Sequence, residues 1–313
     1  MRRLTVYAVT ALSLALTTAA PAAAGPGTCP RPGGQTMTVG YGGREYPVTV
    51  YVPAGDRPAT RRPIVLNLHG SQSTGGDQLH YSDMAAAADA GGYLVVAPTA
   101  AIPAGDGFSW NVPGVGSPPP GARDDVGFLD RVITTAVRAL CGDPARVYGT
   151  GYSGGGRMLS AYACRRADRL AAIAPVAGLR AGRPDPQDST RPDPASCEPS
   201  RPVPVITFHG LQDATNPYAG GGSPYWGYPV PLAQQRWARL NGCRGAATES
   251  AVSPHVTRTA YRHCRTGAEV TLYTIADGGH TWPGTPIDNG NGTVTHEISA
   301  NALMWQFFQH HRL

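Results

Sequence analysis

A serine in a glycine-rich turn is the residue best placed to do chemistry. Residues 151–155 read Gly-Tyr-Ser-Gly-Gly, a G-x-S-x-G pattern that lies between an apolar run and a helical pattern. A tight strand-to-helix turn of this kind projects the central hydroxyl, here that of Ser153, above the carboxyl ends of the strands. The backbone N–H of Gly154, at the helix start, points towards negative charge that develops on an attacked carbonyl. The pattern predicts a nucleophilic serine and half of an oxyanion hole.

A serine nucleophile requires a base and an acid that orients the base. Asp213 ends the loop that follows one apolar run, and His280 lies in a Gly-Gly-His-Thr-Trp segment that follows another. Both positions come just after the carboxyl ends of predicted strands, where open α/β sheets place their sites. We therefore predict that Asp213 is the acid and His280 the base. Two alternatives remain open, Asp277 as the acid and His296 as the base.

The second donor of an oxyanion hole is expected where the third strand ends, in the segment Asn-Leu-His-Gly-Ser-Gln at 67–72. The backbone N–H of Ser71 is the candidate, so that Ser71 and Gly154 would together bind the oxyanion.

Residues 149–154 also fit the G-x-G-x-x-G pattern of dinucleotide sites. That fingerprint needs an acidic residue at the end of the next strand. The segment 171–178, Ala-Ala-Ile-Ala-Pro-Val-Ala-Gly, has none. The segment 288–292, Asp-Asn-Gly-Asn-Gly, lacks the acidic spacing of a calcium loop. We expect neither a cofactor nor a metal.

Aromatic residues cluster near the expected acid and base. They are predicted to form the wall that contacts substrate, because aromatic rings cover phenolic groups, sugars and polyesters alike. The substrate-binding candidates are Trp110, Tyr218, Trp226 and Trp282. Tyr225 and Tyr228 lie in the same Gly-rich segment after Asp213 as Tyr218 and Trp226.

The elements that must position these residues alternate between strand and helix. Short apolar or β-branched runs predict eight strands, at 36–39, 46–52, 64–68, 93–97, 147–150, 171–176, 203–208 and 270–275. Helical patterns fall at 77–90, 124–140, 154–167, 232–240 and 297–310. Such alternation predicts an α/β fold with a mostly parallel sheet and helices on both faces. We expect a single domain over residues 25–313.

Composition excludes several classes of protein. The chain has 313 residues and 26 basic side chains, and every one of the 26 is arginine. Without lysine there is no Schiff-base enzyme and no P-loop. The net charge of +5 is spread along the chain, so it does not favour a nucleic-acid partner. The expected partner is a small or polymeric substrate, and the chain is expected to act as a monomer.

The first 24 residues resemble a secretory signal peptide. Two arginines precede an apolar run, and Ala22-Ala23-Ala24 supplies the small residues of a cleavage site. We expect export, with no membrane attachment after cleavage.

An even number of cysteines in an exported protein predicts disulfides. The preferred pairs are Cys243–Cys264, across a hairpin-like stretch, then Cys164–Cys197, with Cys29–Cys141 left by elimination.

An ordered set of motifs gives the chain a family resemblance. The set comprises Leu-His-Gly at 68–70, the G-x-S-x-G, His-Gly at 209–210 with Asp213, Asn-Pro-Tyr at 216–218, and Gly-His-Thr-Trp-Pro-Gly at 279–284. Over residues 36 to 308 the chain resembles the secreted polyhydroxybutyrate depolymerases and feruloyl esterases, which are α/β-hydrolases of the carbohydrate esterase family one type.

The resemblance implies Ser153 as nucleophile, Asp213 as acid and His280 as base. It also implies a substrate such as a feruloyl or acetyl ester of plant polysaccharide, or a short polyhydroxyalkanoate. Ser71 stands where family members often have cysteine, and the substrate-binding module of polymer depolymerases is not seen. The alternative function is a secreted polysaccharide- or polyester-binding protein without catalysis on the same scaffold.

Overall fold

The computed structural model describes residues 29–55 and 61–313. The predicted signal peptide, residues 1–24, lies outside the described residues. Within the described ranges, no helix has both the length and the apolar character needed to cross a membrane.

The described residues form twelve strands and six α-helices. The strands are β1 (Gly33–Tyr41), β2 (Arg44–Val52), β3 (Arg62–Leu68), β4 (Leu94–Pro98), β5 (Ile102–Ala104), β6 (Gly107–Ser109), β7 (Gly142–Tyr152), β8 (Ala172–Val176), β9 (Val205–Gly210), β10 (Thr248–Ser253), β11 (Val256–Tyr261) and β12 (Val270–Ile275). The helices are α1 (Gly75–Tyr81), α2 (Met84–Gly91), α3 (Asp125–Ala139), α4 (Gly154–Arg165), α5 (Val230–Leu240) and α6 (Ala300–Phe308).

Ten of the strands form one sheet in the order β1-β2-β4-β3-β7-β8-β9-β12-β11-β10. The six central strands, from β4 to β12, pair in parallel, and the two strands on each side of them pair antiparallel. The predicted mostly parallel α/β sheet is confirmed. The strand count is corrected from eight to ten, because β10 and β11 form an antiparallel hairpin at one edge. β10 is mostly exposed and has no apolar run that would have predicted it.

Helices cover both faces of the sheet. On one face, Phe128 of α3, Leu159 of α4 and Trp237 of α5 join a core with the side chains of the strands. On the other face, Met84 of α2 and Phe308 of α6 join a second core. The near-continuous apolar character of β3, β4, β8 and β9 follows from this double coverage, since both faces of these strands are buried.

The predicted helix at 77–90 is two short helices. α1 begins at a capping box, in which Thr74 and Asp77 bind each other's backbone N–H groups. The chain then turns at Asp83, whose φ of 48° lies in the left-handed region, before α2 begins. The apolar periodicity continues across this turn, so the sequence pattern did not reveal the break.

Three disulfides join Cys29 to Cys141, Cys164 to Cys197 and Cys243 to Cys264. These are the pairs preferred on the sequence. Cys243–Cys264 brackets the β10–β11 hairpin, and Cys164–Cys197 fastens the end of α4 to the Pro-rich segment that precedes β9.

Candidate active site

Ser153 lies on the sharp turn between β7 and α4. Its φ of 53° and ψ of −115° are unusual for a residue with a side chain, and the surrounding structure holds this conformation. The backbone N–H of Ser153 donates to the carbonyl of Val176 on neighbouring β8 at 2.9 Å. The side chain is almost buried, with 7% of its residue area exposed. This geometry is that of a nucleophile turn, as the G-x-S-x-G pattern predicted.

Glycine is required after Ser153 because α4 begins against the backbone of β3. A Cβ at Gly155 would lie 2.2 Å from the carbonyl oxygen of Leu68. Only a residue without a side chain lets the helix start this close to the strand end.

His280 and Asp213 are brought together although 67 residues separate them in the chain. Nδ1 of His280 lies 2.7 Å from Oδ2 of Asp213, and both side chains are buried. Asp213 follows β9 and His280 follows β12, which pair in parallel, so both loops lie at the same sheet edge. A Cβ at Gly210 would lie 2.0 Å from the carbonyl oxygen of Gly278, which shows how closely the two loops pack.

The carboxylate of Asp213 accepts several donors at once. Oδ1 accepts the backbone N–H groups of Thr215 and Asn216, at 2.9 and 2.7 Å. Oδ2 also lies 3.2 Å from Nε2 of a second imidazole, that of His209. Burial by itself would raise the pKa of Asp213, but the hydrogen bonds from His209 and His280 outweigh it and hold the pKa well below its usual range. These hydrogen bonds therefore favour the ionised form of Asp213 in the folded protein.

His209, named above only as part of the His-Gly motif at 209–210, is a residue of the site. It is 1% exposed, its Nε2 lies 2.8 Å from the carbonyl of Asn216, and its ring stacks on Trp226 at 5.5 Å between centroids. The sequence did hold a signal for His209: it lies near the end of a predicted apolar strand, four residues before Asp213.

The loop that carries His280 is anchored through backbone groups. The hydroxyl of Tyr152 donates to the carbonyl of His280 at 2.6 Å. The side-chain amide of Asn289 binds the hydroxyls of Tyr152 and Tyr81, both at 2.9 Å. Tyr152 precedes Ser153, and its ring lies 4.9 Å from that of His280, so one side chain links the serine turn to the histidine loop. The sequence alone gives no signal for this network.

Ser71 and Gly154 lie side by side, as an oxyanion hole requires. A Cβ at Gly154 would lie 3.2 Å from the backbone nitrogen of Ser71 and 2.7 Å from its Oγ. Neither backbone N–H donates to another residue in the described part of the chain. Two such donors at one point can stabilise the oxyanion of an acyl-transfer intermediate.

His69 and Trp110 hold the loop that presents Ser71. Nε2 of His69 accepts the N–H of Ala100 at 2.9 Å, its Nδ1 lies 2.6 Å from the carbonyl of Gly70, and burial lowers its pKa to about 4. The indole N–H of Trp110 donates to the carbonyl of His69 at 2.8 Å. A neutral imidazole with both nitrogens engaged is a structural support here, not a base.

A cleft of about 220 Å³ opens beside Ser71 and Gly154. Its lining includes Ser71, Gly154, Trp110, Tyr225 and Arg157. Trp110, one of the predicted wall residues, therefore does line the cleft, and so does Tyr225, which is 46% exposed.

Two of the other predicted wall residues are corrected. Trp226 and Trp282 are fully buried, and their indole N–H groups donate to Pro217 and Asn301. Fully buried rings have no face left for a substrate, and the sequence could not reveal this because aromatic residues near a site also fill its core. Tyr218 is only partly buried and packs against Trp226, with its hydroxyl 3.2 Å from that of Thr274, so its contact with substrate stays a prediction.

The alternative acid and base are both exposed. Asp277 and His296 project from the surface, whereas Asp213 and His280 bind each other in the interior. Among the described residues no hydrogen bond joins the Ser153 hydroxyl to His280, so proton transfer needs a closer approach of these side chains in the substrate complex. Within the same residues, no cluster of three His, Cys, Asp or Glu could hold a metal ion.

Comparison with known proteins gives esterase relatives. The chain is 32% identical over 240 residues to "Feruloyl esterase B" of Piromyces equi, which covers 74% of this chain and 42% of that protein. It is 31% identical over 244 residues to "Putative esterase NocK" of Nocardia uniformis subsp. tsuyamanensis, which covers 71% of this chain and 66% of that protein. The chain therefore spans about two fifths of the length of the first relative and about two thirds of the length of the second. No family model matches the chain.

A solved structure shares the fold. The acetyl xylan esterase from Aspergillus awamori superposes with a TM-score of 0.60 at 17% identity, covering 88% of this chain and all of that one. The chain therefore has an α/β-hydrolase fold, and the relatives that it resembles in sequence are named as a feruloyl esterase and a putative esterase.

Proposed function

We propose that this protein hydrolyses carboxylic esters through an acyl-enzyme on Ser153. The observation that carries the proposal is the buried 2.7 Å contact between His280 and Asp213, at the sheet edge where Ser153 sits on its strained turn. The relatives named as esterases support the same chemistry.

The reaction follows from these positions. His280 takes the proton of Ser153 as the hydroxyl oxygen bonds to the ester carbonyl, and the N–H groups of Gly154 and Ser71 bind the resulting oxyanion. One such donor contributes about 3–4 kcal/mol to the transition state. The alcohol leaves with the proton from His280, and water then attacks the acyl-enzyme in the same way. Asp213 holds the imidazole with Nε2 directed at the serine and stabilises its charged form.

The substrate class is proposed from the cleft and the relatives. Feruloyl or acetyl esters of plant polysaccharide, or short polyhydroxyalkanoates, fit a cleft walled by Trp110 and Tyr225. The proposal includes a single catalytic domain over 25–313 that is exported after loss of residues 1–24 and acts as a monomer. The three disulfides support an oxidising, extracellular setting.

The test is the Ser153→Ala variant. Ester hydrolysis should fall by a factor of about 10⁵–10⁶, because the nucleophile and its base act as a unit. A serine-reactive phosphonate should label the wild type and not the variant. Ser250→Ala, an exposed serine on β10, serves as the matched control and should keep both activity and labelling.

Methyl ferulate, acetylated xylan and polyhydroxybutyrate form the substrate panel. Turnover of all three by Ser153→Ala at the wild-type rate would disprove the mechanism. A wild type that binds xylan or polyester but hydrolyses no ester would instead favour the non-catalytic binding protein.

A further inference from the structure

A second, smaller cavity of about 20 Å³ adjoins the cleft and is lined by four arginines. The four are Arg157, Arg165, Arg180 and Arg183. The cavity shares Val112, Val115, Arg157 and Tyr225 with the cleft, so the two are neighbours. No aspartate or glutamate is among its lining residues, and this concentration of positive charge needs an explanation.

Arg157 stands between the two cavities. It lies one helical turn after Ser153, and its Nη2 is 3.6 Å from the position of a Cβ at Gly154, which places the guanidinium next to the oxyanion hole. Within the described residues no side-chain nitrogen of Arg157 donates a hydrogen bond, no carboxylate lies within 4.0 Å, and its buried Nε has no partner. Arg157 is partly exposed, and its buried, unpartnered Nε together with its free terminal nitrogens can donate to an anion that enters the cleft.

Arg180 gives a second and independent observation. It is only 4% exposed, and its guanidinium lies over the rings of Trp226 and Tyr228, at 3.3 and 4.3 Å from their centroids. Nη1 donates to the carbonyl of Tyr228, whereas Nε and Nη2 have no partner in the described part of the chain. These two nitrogens share one edge of the guanidinium, so both can donate to one oxygen of a bound anion.

The other two arginines of the cavity differ in whether a carboxylate pairs with them. Arg183 is paired with Asp193 at 2.9 Å, whereas Arg165 has no carboxylate within 4.0 Å among the described residues. Burial lowers the pKa of Arg180 to about 10, which leaves it charged at neutral pH. The cavity is large enough for a group of about the size of one water molecule or one carboxylate oxygen.

We infer that the enzyme selects esters that carry a carboxylate, which binds to Arg157 and Arg180 beside the reacting carbonyl. This inference rests on the proposed esterase function and adds the charge of the substrate to it. The carboxylate can belong to the acid part or to the alcohol part of the ester, and the experiment distinguishes the two.

The experiment compares matched pairs of esters on the purified full chain. For the acid part the pair is 4-nitrophenyl hydrogen adipate and its methyl ester, followed by nitrophenolate release. For the alcohol part the pair is the butyrate ester of 4-hydroxyphenylacetate and the same ester methylated on its carboxylate. Reaction with Ser153→Ala is subtracted as background. We expect kcat/KM to be at least about tenfold higher for the charged member of one pair, and that pair identifies the part that carries the charge.

Arg157→Gln and Arg180→Gln should bring this ratio close to one, because the charged ester slows more than the neutral ester. Arg138→Gln, an exposed arginine on α3, is the charge-matched control and should keep the wild-type ratio. Free adipate should inhibit the wild type competitively and inhibit Arg157→Gln much less, a readout that stands if Arg180→Gln does not fold.

Three results would overturn the inference. Equal rates on both members of both pairs would show that charge is not recognised. Equal slowing of both members in Arg157→Gln would assign that arginine to the oxyanion instead. Inhibition by inorganic phosphate that depends on Arg157, without any preference between esters, would make the cluster a site for inorganic anions. In each case hydrolysis of the neutral esters that depends on Ser153 would leave the proposed function standing, whereas no hydrolysis of any ester would refute the function itself.

Discussion

The two sides of the candidate site treat buried charge in opposite ways. On one side, the carboxylate of Asp213 is surrounded by donors from Thr215, Asn216, His209 and His280. On the other side, the guanidinium groups of Arg157 and Arg180 keep nitrogens that no described residue binds. The first side is completed by the protein itself, as catalysis by a preorganised base requires. The second side gains its partners only from a ligand, as recognition of a substrate requires.

The largest expected effect comes from damage to the completed side. Asp213→Asn should lower kcat by about 10⁴-fold, because the amide no longer holds His280 in the tautomer that accepts a proton from serine. Asp277→Asn is the matched control, since Asp277 is exposed and lies only three residues before His280. Steady-state kinetics on one neutral ester measures both variants. A larger loss in Asp277→Asn would reassign the acid and remove one half of the comparison.

The free energy of unfolding gives a second measure of the same difference. Asp213→Ala leaves four donors without their acceptor and should cost about 2–4 kcal/mol. Arg157→Met removes a guanidinium that has no protein partner and should change the free energy of unfolding by less than about 1 kcal/mol, or increase it. Urea unfolding of both variants tests this. If Arg157→Met were as damaging as Asp213→Ala, the arginine would be a structural element and not a recognition element.

The smallest expected effect is that of a His209 substitution on unfolding at low pH. The pKa of Asp213 is lowered in the folded state, so its contribution to stability is present above the ordinary aspartate pKa of about 3.9 and is lost as the pH falls below it. His209→Phe keeps a ring on Trp226 but removes the N–H near Asp213, so the pKa of Asp213 should rise towards its ordinary value. The midpoint of acid unfolding, followed by circular dichroism, should therefore move to higher pH.

The control for His209 is the same substitution in an Asp213→Asn background. There the acid midpoint should no longer respond to His209→Phe, because no carboxylate remains to titrate. An unchanged shift in that background would show that His209 acts through packing alone.

The sequence predicted the parts of this molecule that depend on local pattern. The central strands, the turn at Ser153 and the sheet edge that carries Asp213 and His280 follow from apolar runs and from glycines beside them. The β10–β11 hairpin was missed as strand, because β10 is mostly exposed and its pairing depends on a neighbour and not on its own composition.

The sequence could not predict which side chains pack against each other across the fold. Trp226 and Trp282 were expected in the cleft, yet both are buried, and their indole N–H groups donate to Pro217 in the same loop and to Asn301 of α6. The link from Tyr152 and Asn289 to the histidine loop joins residues more than 100 positions apart. The arginine-lined cavity was not predicted either, since its residues are spaced along the chain like those of an ordinary solvated surface.

The disulfide between Cys164 and Cys197 makes the arginine-lined cavity dependent on oxidation of the chain. Cys164 is near the end of the helix that carries Arg157, and Cys197 follows Ser196 in the segment that closes the small cavity. Ser153, His280 and Asp213 are positioned without this bond. We therefore expect a chain that has not yet been oxidised to hydrolyse simple esters while discriminating poorly among them. Selectivity would then be acquired when this disulfide forms and holds the wall of the cavity in place.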